Sequence, residues 1–418
     1  MKESDVHSWL VEWRCPQCGA PVVLEETDRI LSCGYCRVRL HLSWRGHWRY
    51  WLSPGKDLPA DPLFVPYWRF RGIVFSCVDR EIRHRVADSS HLALGLEGLP
   101  ATLGFRPQAL KLRPVTPTVG ASFLRPETSF RSPSTVAGDA EKRSAAGDGK
   151  PPAPYEVFIG ETVSVLYSPV TIRGEKVLDG ILGRPLPSVV PSSLESLPFD
   201  RFPDELVTFS PMLCPRCGWD LEGEKDSVVL LCRNCRSAWA SRGSGLERVD
   251  FSVMVEPKEA PLYLPFWQIR ARFSGIRLDS YADLVRLANL PKAVQPEWED
   301  RKARLWIPAF KIAPHLFLRL GRALTLFQGE GDPEAPLPSS GLHPVSLPPE
   351  EAAESLVITV AAFGVPKKTL LPKLPEIRAP MEGYSLCYVP FRVTSAECIQ
   401  PKIGLSLNRN ALDLGRKI

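Results

Sequence analysis

Eight of the eleven cysteines fall into four Cys-x-x-Cys pairs: Cys15/Cys18, Cys33/Cys36, Cys214/Cys217 and Cys232/Cys235. Cys77, Cys387 and Cys398 are left over. Two residues between cysteines let both thiolates reach one ion from a single tight turn, and four soft thiolates satisfy a tetrahedral metal. The gap between pairs is 33 − 18 − 1 = 14 residues in the first set and 232 − 217 − 1 = 14 in the second. Disulfide frameworks belong to small secreted chains, whereas matched Cys-x-x-Cys pairs in a chain of 418 residues point to metal. A redox dithiol uses one such pair at a helix start, which four pairs at equal spacing fit poorly. A catalytic zinc keeps a position open for water, and four cysteines close it. Iron takes the same ligands, but Cys33-Gly-Tyr-Cys36 and Cys232-Arg-Asn-Cys235 lack the Pro and the following Gly expected of a rubredoxin-like site. The reading is two structural ions, most simply zinc, whose binding energy is also folding energy.

The elements that must hold these thiols recur. The second cysteine set lies 214 − 15 = 199 positions after the first at every cysteine, and Cys15-Pro-Gln-Cys-Gly19 returns as Cys214-Pro-Arg-Cys-Gly218. At the same offset Phe64-Val-Pro-Tyr-Trp68 returns as Tyr263-Leu-Pro-Phe-Trp267. Phe105-Arg-Pro-Gln-Ala-Leu-Lys111 resembles Trp306-Ile-Pro-Ala-Phe-Lys311, and Leu166-Tyr-Ser-Pro-Val170 resembles Cys387-Tyr-Val-Pro-Phe391. The last offset is 387 − 166 = 221, which places an insertion near Gly364 to Ser385. The period is too long for a solenoid, so two homologous modules are expected.

In each ribbon two short strands flank a polar turn, at Glu26-Thr-Asp28 and at Gly223-Glu-Lys-Asp226, and read as a hairpin between the knuckles. The pattern resembles the zinc-ribbon family found in transcription factors, RNA polymerase subunits and many bacterial proteins. The resemblance covers only the ribbons, reaches all eight cysteines, and implies structural metal without naming a function.

Strand-like runs follow at Leu40 to Leu52, Ile73 to Val78, Leu246 to Val255 and Leu356 to Ala361. Helices are expected at Tyr281 to Leu290, ended by Pro291, and at Pro314 to Leu326, with Leu316, Leu320 and Leu324 at period four. The 42 prolines argue against long helices. The fold class is therefore mostly β, a β-rich α+β chain. It divides into ribbon 13–42, β-rich domain 43–187 with a disordered loop 129–154, linker 188–211, ribbon 212–242, and β-rich domain 243–415 with a mobile loop 329–349.

Lys plus Arg exceeds Asp plus Glu by only 52 − 47 = 5, which gives no strong reason to expect nucleic acid. One local run does: Arg37-Val-Arg-Leu-His-Leu-Ser-Trp-Arg-Gly-His-Trp-Arg-Tyr-Trp51 mixes cations with aromatics. Arg37, Arg39, Arg45 and Arg49 are its candidate contacts, with Arg37, Arg39 and His41 on one strand face. The plainer reading is an amphipathic strand. Cys77, His84, Asp88 and His91 suggest a nucleophile and base, but the second copy has no counterpart. Gly147-Asp-Gly-Lys150 lacks the spacing of a phosphate loop. No secretory signal or long apolar run is seen, so a cytoplasmic chain without membrane insertion is expected. The functional expectation is a non-enzymatic zinc-binding scaffold or adaptor with a protein partner, and the alternative is a transcription-related nucleic-acid binder.

Overall fold

The computed structural model describes residues 9–44, 46–55, 61–78, 81–104, 110–116, 121–127, 155–202, 206–242, 245–256 and 260–415. The loop 129–154, Gly147–Lys150 and Arg45 lie outside them.

The first ribbon has strands β1 (Leu10–Arg14), β2 (Pro21–Glu25), β3 (Ile30–Ser32) and β4 (Arg39–Trp44). Its body has β5 (Trp48–Leu52), β6 (Leu63–Val78), β7 (Glu81–Leu92), β8 (Leu112–Pro114), β9 (Ser122–Phe123), β10 (Tyr155–Arg173) and β11 (Lys176–Asp179). A short helix α1 (Pro191–Glu195) leads to the second ribbon: β12 (Val207–Pro211), β13 (Val229–Cys232), β14 (Ser237–Arg242) and β15 (Gly245–Val249). The second body runs β16 (Phe251–Val253), β17 (Leu262–Ala271), α2 (Tyr281–Leu287), α3 (Glu297–Asp300), β18 (Leu305–Pro308), α4 (Pro314–Phe327) and α5 (Pro349–Glu354). It ends with α6 (Leu356–Phe363), α7 (Lys367–Leu370), β19 (Met381–Val393), β20 (Glu397–Gln400), β21 (Leu405–Asn408) and α8 (Asn410–Gly415). The chain is strand-rich with short helices, as its pattern implies.

Strand register bears out the duplication. In the first body Tyr67 pairs with Leu166 and Phe64 with Pro169. In the second, Phe266 pairs with Cys387 and Tyr263 with Pro390. These are the same four positions at the two offsets read from the sequence. Each pair also receives a parallel strand from its own ribbon side, β5 on β10 and β16 on β19. The repeated aromatics are core: Tyr67, Trp68, Phe266 and Trp267 are all buried.

Three readings change. Pro308 pairs with Phe266 where Leu92 pairs with Tyr67, so by strand register the third offset is 308 − 92 = 216 and Pro308 takes the place of Leu92; Pro107 lies outside the described residues. Hence 216 − 199 = 17 of the inserted residues fall between β17 and β18, around α2 and α3, rather than at Gly364 to Ser385. Helix α6 replaces the strand expected at Leu356 to Ala361. Its apolar run is buried on nearly every side, and a short fully apolar run carries no period that separates strand from helix. Finally, in the first ribbon β2 pairs with β1 and β3 with β4, so each knuckle closes its own hairpin, whereas in the second Glu222 pairs with Leu231 across the Gly223–Asp226 turn as expected. The turn between β2 and β3 turns inward, burying Glu26 and Asp28, and sends the two strands into different sheets.

The helix expectations hold in kind. Helix α4 starts with Pro314 in its first turn and buries Leu316, Leu320 and Leu324. Helix α2 stops at Leu287, short of Pro291; at its start Ser280 and Asp283 form a capping box.

The connections are packed as well. Within 188–211, Val189 and Leu194 are buried, and Tyr167 Oη donates to Asp200 at 2.7 Å. Residues 329–349 form no long element, yet the Trp267 indole donates to Leu347 O at 2.8 Å, and Val345 and Leu347 are buried. That segment is pinned rather than free, because its apolar residues find a place in the second core.

The copies touch along their ribbons and again at the far ends of two long strands. Strand β12 of the second ribbon pairs along β4 of the first, from Val207↔Trp44 to Pro211↔Leu40. The far ends of β6 and β10 enter the second core, where Phe75 meets Phe317 with ring centroids 6.4 Å apart. Gly72 faces Gly160 across β6 and β10 there, and a Cβ on Gly72 would lie 2.3 Å from Ile159 O. At the bulge after Gly160, its N–H donates to Glu351 of α5 at 2.9 Å.

Candidate metal centres

Each ribbon brings its four cysteines together, and within each set the sulfur atoms lie within 4.8 Å of one another. The pairings across knuckles are Cys15–Cys36 at 3.7 Å, Cys18–Cys33 at 3.6 Å, Cys214–Cys235 at 3.5 Å and Cys217–Cys232 at 3.5 Å. A metal–sulfur bond of about 2.3 Å in a tetrahedron places sulfurs about 3.8 Å apart, so both sets fit one ion each. The burial order is the same in both: first and third cysteines buried, second exposed, fourth between.

The knuckles share one backbone shape. The residue after each second cysteine is left-handed at Gly19 (φ 74°), Arg37 (φ 60°), Gly218 (φ 71°) and Arg236 (φ 50°). At Cys15 and Cys33 the following turn is closed by Gly19 N–H to Cys15 O at 2.8 Å and Arg37 N–H to Cys33 O at 3.0 Å. Glycine takes this conformation freely and arginine does not. The missing glycines of the second knuckles therefore do not change their geometry; two arginines are held in it. A guanidinium there suits a four-thiolate site, whose divalent ion leaves a net charge of about −2.

The thiols are biased toward ionisation unequally. The backbone N–H of Cys36 is the largest influence on Cys33 and, with Tyr35 N–H and neighbouring thiols, brings it down to about 6. Cys36, against the pull of Val38 N–H, is pushed up to about 12 by burial and by the thiols of Cys18, Cys33 and Cys15. In the second ribbon burial opposes ionisation of Cys214, but Arg216 N–H and the Ser237 hydroxyl bring it to about 6. Burial and the thiols around it push Cys232 up to about 12. Four crowded thiols thus share their protons unevenly, and a divalent cation relieves the crowding by replacing them.

Ser237 escaped the sequence reading. Its hydroxyl lies 3.0 Å from Cys235 Sγ and 3.6 Å from Cys214 Sγ, and receives the Trp239 indole N–H at 2.8 Å. This chain from indole to hydroxyl to sulfur orients the ligands of the second ribbon. The first ribbon has Val38 and Leu40 at these positions, so no motif common to both copies signals it.

The candidate nucleic-acid arginines are scattered. Arg37 is exposed beside its knuckle. Arg39 Nη2 donates to Gly223 O of the second ribbon at 3.0 Å. Arg49 lies 3.6 Å from Asp200 and stands over the Phe202 ring at 5.3 Å. His41 is buried and does not share the exposed face with Arg39. Cys77 is buried too, and burial pushes its thiol up to about 11, while His84 lies on the exposed strand β7. Asp88 is taken by Arg69 at 2.6 Å, and His91 Nε2 meets Ser89 Oγ at 3.1 Å.

A buried ionic knot locks the first ribbon to its body. Arg69 of β6 and Glu26 of the ribbon turn, both 1% exposed, meet at 3.4 Å. Ser164 Oγ donates to Glu26 Oε1 at 3.1 Å, and the Arg69 guanidinium sits 3.6 Å over the Trp9 ring. The second copy has Gln268 at the place of Arg69.

No helix among the described residues is long and apolar enough to cross a membrane. No protein-family model matches the chain, and neither a curated protein nor a solved structure does. What the geometry itself establishes is a duplicated, strand-rich chain with two four-cysteine clusters, each shaped for one metal ion.

Proposed function

We propose that the chain is a non-enzymatic scaffold or adaptor, held by two structural zinc ions, that engages a protein partner through the tips of its ribbons. The observation that carries this is an exposed aromatic beside each closed cluster. Tyr35 is 73% exposed between Cys33 and Cys36, and Trp219 is 61% exposed two residues after Cys217. Leu213, next to Cys214, is exposed as well. Large aromatics on rigid, metal-fixed turns are suited to anchoring a partner, since little flexibility is lost on docking. Four thiolates leave no open coordination position for catalysis. Affinity purification of the wild type against a Tyr35→Ser/Trp219→Ser variant tests the reading. The variant keeps its metal and loses the partner. Unchanged capture, or turnover of a small metabolite by the purified chain, overturns it.

A second reading, nucleic-acid binding, has the exposed Arg37 and Arg236 in its favour, one after the last cysteine of each ribbon. It requires salt-sensitive binding that weakens when both are neutralised, and fails if no DNA or RNA binds at low salt.

A further inference from the structure

Two histidines face each other across the contact between the copies. His84 lies on β7 of the first and His315 in the first turn of α4 of the second, with ring centroids 6.4 Å apart and planes at 31°. Both side chains are exposed, and among the described residues neither makes a hydrogen bond or an ion pair. Phe75 lies 6.2 Å from the His84 ring and 6.4 Å from Phe317, so the two imidazoles stand at the rim of an apolar contact. Arg83 and Arg85 flank His84 in sequence, but side chains alternate along a strand, which turns both to the opposite face of β7.

We propose that His84 and His315 form a third metal site, which takes one borderline divalent transition-metal ion such as zinc or nickel and clasps the two copies together. Imidazole nitrogens select this class of ion, whereas magnesium and calcium take oxygen ligands. The spacing fits. A metal–nitrogen bond of about 2.0–2.1 Å sets each ring centre about 3.2 Å from the ion, so two imidazoles of a tetrahedron have centres about 5 Å apart. Turning the two exposed side chains inward by about 1 Å in all closes the observed gap to that value. With only two ligands from the chain, water fills the remaining positions, so this ion exchanges where one enclosed by four thiolates does not. The start of α4 carries partial positive charge, which opposes a cation and makes this site weaker than the clusters. The two ligands are 315 − 84 = 231 positions apart and belong to different copies. Each ribbon's metal fixes that ribbon; this ion fixes one copy against the other, and does so only while it is bound.

The test uses the untagged full-length chain with both four-cysteine clusters already zinc-loaded, titrated with Zn²⁺ by calorimetry and with Mg²⁺ as the control. One further equivalent of zinc binds, more weakly than the first two, and magnesium does not. His84→Ala and His315→Ala each weaken that equivalent by about tenfold or more, because a single imidazole remains. Neither variant changes the two tight sites, since substitutions at exposed positions leave the fold intact. Amide hydrogen exchange at the adjoining ends of β6 and β7 slows when the third equivalent is added to the wild type, and not in His315→Ala. Absence of a third equivalent at millimolar zinc overturns the proposal. So does wild-type affinity in either variant, which marks an adventitious ion elsewhere on the surface. Unchanged exchange at β7 on binding overturns the clasp, since the ion then sits on one histidine alone.

Discussion

Replacing Cys217 by Ser removes the exposed ligand of the second ribbon with little change in packing, and the effect is expected to reach the first ribbon. The second ribbon's own apolar cluster is small: Met212, Leu221, Leu230 and Trp239, with two cysteine ligands and Ile30 contributed by the first copy. Those four side chains contribute about 6–12 kcal/mol on burial, against about 10–16 kcal/mol for a structural zinc site. Metal binding outweighs packing here, so the second ribbon melts without its ion. The first ribbon then loses the acceptor Lys225 O, which takes the N–H groups of Arg29 at 2.6 Å and Ile30 at 3.0 Å, and the burial of Ile30. Two hydrogen bonds and one isoleucine amount to about 3–5 kcal/mol, or roughly two to four orders of magnitude in the remaining site's zinc affinity. Chelator competition on Cys217→Ser reads that affinity directly, and hydrogen exchange reads protection at Ile30 and along β4. A first-ribbon affinity within threefold of wild type, with β4 still protected, would refute the coupling and leave the ribbons as independent beads.

Three further outcomes are expected. Glu26→Ala leaves the buried Arg69 with Asp88 as its remaining carboxylate partner, so it costs less than the about 3–5 kcal/mol of an unpaired buried charge, and Glu26→Ala/Asp88→Ala reaches that range by chemical denaturation; equal losses in the single and the double variant would show that the ion pairs are not the cause. Burial, opposed by the Gly160 N–H, raises Glu351 from 4.5 to about 7. Its contribution is therefore whole below about pH 4.5 and is lost as pH rises through 7, by up to about 3 kcal/mol. Glu351→Gln flattens the stability profile between pH 5 and 7, and an unchanged slope rules this out. Arg37→Gly and Arg236→Gly each relieve a left-handed arginine and raise stability by about 1 kcal/mol, measured by melting of the zinc-loaded chain. A fall instead shows that the guanidinium charge near the thiolates outweighs its backbone strain.

Side-chain chemistry and spacing were the legible part of this molecule. Cysteine position alone predicts both clusters, because tetrahedral thiolate geometry tolerates few spacings. Repeated Pro-aromatic motifs reveal the β6/β10 and β17/β19 pairs down to the residue, since they mark one ladder twice. Motif matching failed where the motif was short. Pro107 lies outside the described residues, and the residue that strand register sets in the place of Pro308, Leu92, carries no proline for a motif to find. Helix α6 was misread because period-two and period-3.6 patterns can hardly be told apart when nearly every residue is apolar, Thr359 being the one polar residue between Leu356 and Phe363. The basic aromatic run read as one surface because charge was counted along the chain. In three dimensions β12 covers one edge of β4, so His41 turns inward and Arg39 reaches across to the second ribbon. The Glu26–Arg69 pair was invisible for the same reason: its members are 43 residues apart and meet only once the turn after β2 folds inward.

The copies have diverged in a way that makes each incomplete alone. In the first, β6 and β7 continue as one long hairpin, and β6 with β10 extends beyond what its own core covers. In the second, the 17 residues inserted at the equivalent hairpin bring α2 and α3, and further helices stand before β19. Helices α4 and α5 supply the missing cover: Phe317 meets Phe75, and Glu351 takes the Gly160 N–H at the bulge. The ribbons are joined in the other direction, since β12 belongs by sequence to the second copy and by pairing to the first. Contacts made separately by the first ribbon and by the first body fix the relation of the copies more firmly than either would, because freeing one leaves the other in place. A cut near residue 200 would therefore expose Phe75, Val157 and Ile159 on one fragment and the β4-pairing edge of β12 on the other. Such fragments should aggregate separately and regain solubility only when expressed together, which is the behaviour of one folding unit rather than of two modules on a string.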